Sequence, residues 1–174
     1  MKRKFFIPIS LLLFLISCVS TEKIETKMNI TTLNEVPGIE LEILAPARHG
    51  DSMYQSAHKD TGFIKGFDIQ IQNKTNSIAK IVWNNSSITD IDNSHHVFIS
   101  GQKYIKSNDS IPDQAIPQKG HVKKLVCSAD SVSYSYFGNT WVINPMQGYS
   151  FVLNICVLIN GEEKYITKNI EVTF

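Results

Sequence analysis

Residues 150–174, SFVLNICVLINGEEKYITKNIEVTF, decide how this chain folds. Two runs rich in β-branched and aromatic residues, 150–159 and 164–174, flank an Asn160-Gly161 pair. Asn-Gly tolerates the positive φ that a two-residue type I′ turn needs at both central positions, so the spacing predicts a β-hairpin. The first arm, FVLNICVLI, is apolar at nearly every position. That is the pattern of a mid-sheet strand covered on both faces.

Working outward, the same period of two recurs. GIELEIL at 38–44 puts Ile39, Leu41 and Ile43 on one face, and GFDIQIQN at 66–73 does so with Phe67, Ile69 and Ile71. SIAKIVW at 77–83 follows the turn-forming run Asn73-Lys74-Thr75-Asn76, which predicts a hairpin between these two segments. Its uncharged face, Ala79, Ile81 and Trp83, is the inward one. HHVFI at 95–99, HVKKLVC at 121–127 and SVSYSYF at 131–137 read as further strands. No window carries a capped helical 3, 4, 7 spacing, so a helix is at most a minor element between 46 and 62. Short strands at such intervals predict an all-β, antiparallel β-sandwich, one domain over residues 38–174.

The chain opens MKRK and continues from Phe5 to Ser17, thirteen residues without a charge. A membrane-spanning helix needs roughly 20 apolar residues, whereas secretory leaders use about 7 to 15. Leu15-Ile16-Ser17-Cys18 stands at the cut point, and it resembles the lipobox of bacterial lipoproteins. The resemblance implies a lipid on the Cys18 sulfur, cleavage before it, and residues 1–17 as signal peptide. The membrane is then the first partner, held through acyl chains whose buried methylenes contribute about 0.8 kcal/mol each. Val19, where inner-membrane lipoproteins often carry Asp, implies by the same resemblance the outer membrane of a Gram-negative cell. Residues 18–37 are polar with scattered apolar positions and read as a flexible tether. Without residues 1–17 the chain has 157 residues, with 14 Lys+Arg against 16 Asp+Glu. A formal charge of −2 and no basic stripe give no footprint for nucleic acid.

NKTNSIAKIVWNNSSI, SHHVFISGQKYI, KKLVCSADSVSYS and NTWVINP occur in that order between residues 66 and 145. This order resembles a group of small bacterial lipoproteins with an immunoglobulin-like sandwich. The sequence departs from that group at His95-His96, where the group has His-Arg, at Pro117-Gln118, where it has two prolines, and at Cys127-Ser128-Ala129-Asp130, where it has Pro before Ala-Asp. The resemblance implies an immunoglobulin-like fold and an envelope address, and attaches no activity.

Few residues offer chemistry. Cys127 and Cys156 leave two readings open, a disulfide formed in an oxidising compartment or a pair of buried free thiols. His95 and His96 are adjacent in a strand and point to opposite faces, so they do not share a metal. His49, His58 and His121 add no paired spacing, and no metal or cofactor is expected. Asp90-Ile91-Asp92-Asn93-Ser94 begins like a calcium loop, but His95 and Gly101 stand where Gly and Glu are needed, so a polar turn is expected. No G-x-S-x-G, P-loop, dinucleotide-binding glycine set or H-E-x-x-H occurs, and no catalytic residue is expected. Tyr134, Tyr136, Phe137 and Trp141 form the best candidate for a binding surface, the alternative being that they seal one end of the core. The expectation is a lipid-anchored, non-catalytic envelope or surface module that binds a protein, a glycan or an envelope component. The alternative is an enzyme or small-ligand protein whose pocket no motif reveals, with Cys127 or a histidine as reactive group.

Overall fold

A computed structural model describes residues 26–48, 64–91, 93–99, 110–135, 140–146 and 148–173. The alternating segments become strands: β1 (Lys27–Asn34), β2 (Ile39–Arg48), β3 (Ile64–Asn73), β4 (Ala79–Ile81), β5 (Ser87–Asp90) and β6 (Asn93–Ile99). β7 (Gln114–Ile116), β8 (His121–Ser128), β9 (Val132–Ser135), β10 (Thr140–Ile143), β11 (Ser150–Ile159) and β12 (Glu162–Thr173) follow. The Asn-Gly turn closes as its residue types require, with Asn160 at φ 52° and Gly161 at φ 84°. β11 pairs with β12 from Ser150↔Glu171 to Ile159↔Glu162, and its other edge pairs with β4 and β5. It is the mid-sheet strand that its apolar run predicts.

Two antiparallel sheets face each other. One runs β1-β12-β11 and continues into β4 and β5, and the other runs β2-β3-β8-β6. β6 belongs to both, because Asn93–His96 pairs with β5 while Val97–Ile99 pairs with β8. In immunoglobulin lettering β2, β3, β8 and β6 are A-B-E-D, and β4/β5, β11 and β12 are C-F-G. β7 extends the first sheet beside β4, and β9 and β10 form a separate hairpin. Inward residues of both sheets make the core. Phe67 of one and Phe151 of the other meet edge to face, with ring centroids 5.3 Å apart. Among the described residues no helix is long and apolar enough to cross a membrane. The minor helix allowed between 46 and 62 falls mainly outside the described residues.

β4 and β5 are halves of one strand broken by a 3-10 turn over Trp83–Asn85. At the break the Val82 N–H donates to the Cys156 carbonyl at 2.9 Å. Ser86 Oγ accepts from the Cys156 N–H at 3.0 Å and donates to the Val82 carbonyl at 3.0 Å. A hydroxyl thus stands in for a missing ladder partner, and the Cys156 N–H and the Val82 carbonyl stay paired at the break. The face chosen from the sequence is the inner one: Ala79, Ile81 and Trp83 are all fully buried.

Two expectations need correction. The hairpin between 66–73 and 77–83 does not form, since β3 pairs with β2 and β8 while β4 lies in the other sheet. Asn73 explains the crossover. Its side chain is fully buried. Nδ2 donates toward the carbonyls of Ser77, Ile116 and Pro117 at 2.8, 3.1 and 3.1 Å. Oδ1 accepts from the Thr75 N–H at 3.0 Å and the Thr75 hydroxyl at 2.7 Å. The turn-forming residues therefore steer the chain across the sandwich instead of back along β3. The reading of 18–37 as a flexible tether does not hold over Lys27–Asn34, which form β1 and are zipped to β12 from Lys27↔Thr173 to Asn34↔Thr167; residues 18–25 lie outside the described residues. The alternation of β1 is faint because an edge strand buries little on either face.

Trp83→Ala should lower stability by about 3 to 5 kcal/mol, the range for losing a buried large aromatic. Asn73→Ala should cost about 2 to 4 kcal/mol, since it strands several carbonyls and an N–H at once. Urea melts of each variant against the parent check both.

Candidate functional site

The β5–β6 hairpin sets Asp90 opposite Asn93 and brings His95 next to them on β6. β8 ends at Ser128, and the 3-10 turn Ala129–Ser131 lifts Asp130 toward the same spot. His95 Nε2 lies 3.3 Å from Asp90 Oδ1, and its Nδ1 lies 2.8 Å from Asp130 Oδ2. His95 and Asp90 are largely covered, with side chains 16% and 15% exposed, while Asp130 is open at 74%. A cavity of about 240 Å³ opens beside them, lined by Asp90, Asn93, His95, Ser128, Asp130 and Met146 among others. Ser131 Oγ donates to the Ser128 carbonyl at 2.7 Å. Ser128 Oγ is buried and finds no partner among the described residues.

The chemistry of this cluster is bracing. A general base needs a ring nitrogen turned toward substrate, and both nitrogens of His95 already face carboxylates from two separate segments. The imidazole ties β5 and β6 to the turn after β8, which closes this end of the sandwich. Among the described residues no group of three or more His, Cys, Asp and Glu is arranged to hold a metal ion.

The two cysteines are free and buried, so the disulfide reading is corrected. Geometry explains it. On β8 it is Val126, directly opposite Phe67, that points between the sheets, so Cys127 beside it is buried on the outer side of its own sheet, while Cys156, between the inward Ile155 and Val157 on β11, points to the outer side of the other sheet. The thiols therefore look in directions that do not converge. Burial pushes the Cys127 thiol up to about 12, against a smaller opposing hydrogen bond from Ser131. Burial likewise raises Cys156 to about 11 despite its hydrogen bond with Tyr165. Neither offers a thiolate near neutral pH.

Of the aromatic set, Tyr136 and Phe137 lie outside the described residues. The β9–β10 register sets Trp141, in a strand, directly opposite Tyr134. His95 and His96 are adjacent in β6, His95 partly buried and His96 exposed. Sequence reasoning missed the joining of Asp90, His95 and Asp130. Asp90 and His95 are five residues apart, which is a local cue, but Asp130 arrives from 35 residues further on and only the fold brings it in. The chain matches no protein-family model, no curated protein and no solved structure.

The raised thiol of Cys127 carries a pH signature. An unfolded thiol ionises near the usual 9.0, while the folded one holds its proton to about 12. Its contribution to stability is therefore complete below pH 9 and is lost as pH climbs from 9 toward 12. Between pH 8 and pH 10.5 the parent should lose about 1 to 2 kcal/mol more than Cys127→Ala does. Urea melts of the pair at the two pH values measure the difference.

Proposed function

We propose that this chain is a lipid-anchored, non-catalytic module of a bacterial envelope that binds a protein, a glycan or another envelope component. The outer membrane is its favoured address, facing periplasm or exterior. One observation carries the reading: the box Leu15-Ile16-Ser17-Cys18 directly after a short uncharged apolar run behind Lys2, Arg3 and Lys4. The fold supports it. A strand-built sandwich offers rigid ends on which loops can recognise a partner, with no need of a reactive group. The β9–β10 hairpin, with Tyr134 opposite Trp141, supplies residue types that anchor interfaces.

The reading as an enzyme or small-ligand protein draws on the cavity beside His95. Two facts weigh against it. Both ring nitrogens of His95 are engaged, and Cys127 is buried with its thiol pushed up to about 12. Rapid labelling of Cys127 in folded, reduced protein would revive it.

Cys18→Ala should abolish acylation and leave the precursor uncut at this point. Metabolic acyl labelling of parent and variant tests it, and equal label in both would overturn the anchor. A pulldown from the cell envelope with soluble protein starting at residue 26 would identify the partner class.

A further inference from the structure

We propose that one end of the sandwich rests on the bilayer interface, with Ile91 and Tyr149 as the side chains that enter it. This rests on the lipid anchor proposed above. Lys27, the first residue of β1, pairs with Thr173 at the end of β12. The adjacent Val172 donates its N–H to the Tyr149 carbonyl at 2.8 Å, so Tyr149 lies at the same end. Ile91 joins them from the β5–β6 turn. A Cβ on Gly148 would stand 2.6 Å from Ile91 Cγ1, and Gly148 adopts φ +93°, which L side chains rarely take. Only glycine lets Ile91 lie against this backbone beside Tyr149.

Both side chains are displayed, Ile91 at 64% and Tyr149 at 49% exposure. Turn positions favour Gly, Asn, Asp and Ser, and an isoleucine there leaves apolar surface in water to no local benefit. Tyrosine has the apolar body and polar tip that settle at a lipid–water boundary. Chain length names the occupant. Eight residues, Val19 to Thr26, separate Cys18 from Lys27. At about 3.3–3.6 Å per residue the link reaches at most about 30 Å. β12, twelve residues long, extends about 40 Å away from this end toward Asn160-Gly161. An acylated Cys18 therefore holds the Lys27 end close to the bilayer and keeps the opposite end beyond the reach of the link. Tethering raises the effective concentration of the interface, so a contact too weak to recruit a free domain suffices.

The test uses full-length acylated protein in vesicles of phosphatidylethanolamine and phosphatidylglycerol that carry a quencher near the headgroups. A fluorophore is placed at Asn93→Cys or at Glu162→Cys. Both positions are exposed, and the buried native thiols stay unlabelled in the folded protein. Quenching at position 93 should exceed that at 162 several-fold. It should fall several-fold in the Ile91→Ser, Tyr149→Ser double variant while vesicle association and circular dichroism stay unchanged. If the double variant does not fold, each single variant should lose part of the quenching. Equal quenching at both positions, or undiminished quenching in the variants, overturns the docking. Protein that carries no acyl label overturns the anchor itself, whereas acylated, vesicle-bound protein without quenching at 93 overturns only this inference.

Discussion

The sandwich depends on the buried amide of Asn73. A chain leaving β3 in one sheet must enter β4 in the other, and the crossing exposes backbone groups that no ladder can satisfy. Asn73 meets them from one side chain, reaching the Ser77, Ile116 and Pro117 carbonyls while it accepts from Thr75. Backbone bonds extend the clasp: the Asn73 N–H donates to the Gly120 carbonyl at 2.9 Å, and the Lys74 N–H to the Gly38 carbonyl at 2.7 Å. Three separate connections are thus fastened at one point. No shorter side chain spans it, and Asp would trade the donating amide for a carboxylate that cannot donate when ionised.

What Asn73 starts, the break in the next strand completes. β4 must carry the chain along β11 and still deliver a large aromatic into the core. The strand breaks over Trp83–Asn85 where Trp83, in step with Ala79 and Ile81, enters the core, and Ser86 repairs the ladder. One polar atom is left over. Trp83 Nε1 is buried and unpaired among the described residues. Such a group costs about 1 to 3 kcal/mol, which the burial of the whole indole outweighs.

These two devices mark the boundary of what the sequence discloses. The β11–β12 hairpin is legible because its cause is local: two compatible strands and a turn whose residues accept positive φ. The crossover after β3 is illegible because Asn73-Lys74-Thr75-Asn76 carries the same turn chemistry whether the chain doubles back or leaves the sheet. The deciding bonds go to Ile116 and Pro117, more than forty residues away. β1 hides for a related reason: its partner is the last strand of the chain, and as an edge strand it needs little apolar surface. At the candidate site Asp90 and His95 were within local reach, but their meaning as a brace depends on Asp130.

The two ends of the sandwich are consequently unlike. At the Asn73 end the connections are short and bonded to one another, as in the Gly120 N–H to Pro117 carbonyl contact at 3.0 Å. They fasten sheets and leave little to vary. The Lys27 end carries the turn that leads into the β9–β10 hairpin and the cavity beside His95. An open cavity beside a braced turn leaves this end able to recognise something else. Under the proposed anchor this is also the end nearest the lipid. Recognition and attachment then share one face of the domain, and that favours a partner lying on or embedded in the same membrane over a large soluble one, which would have to enter a gap no wider than the short link from Cys18 allows.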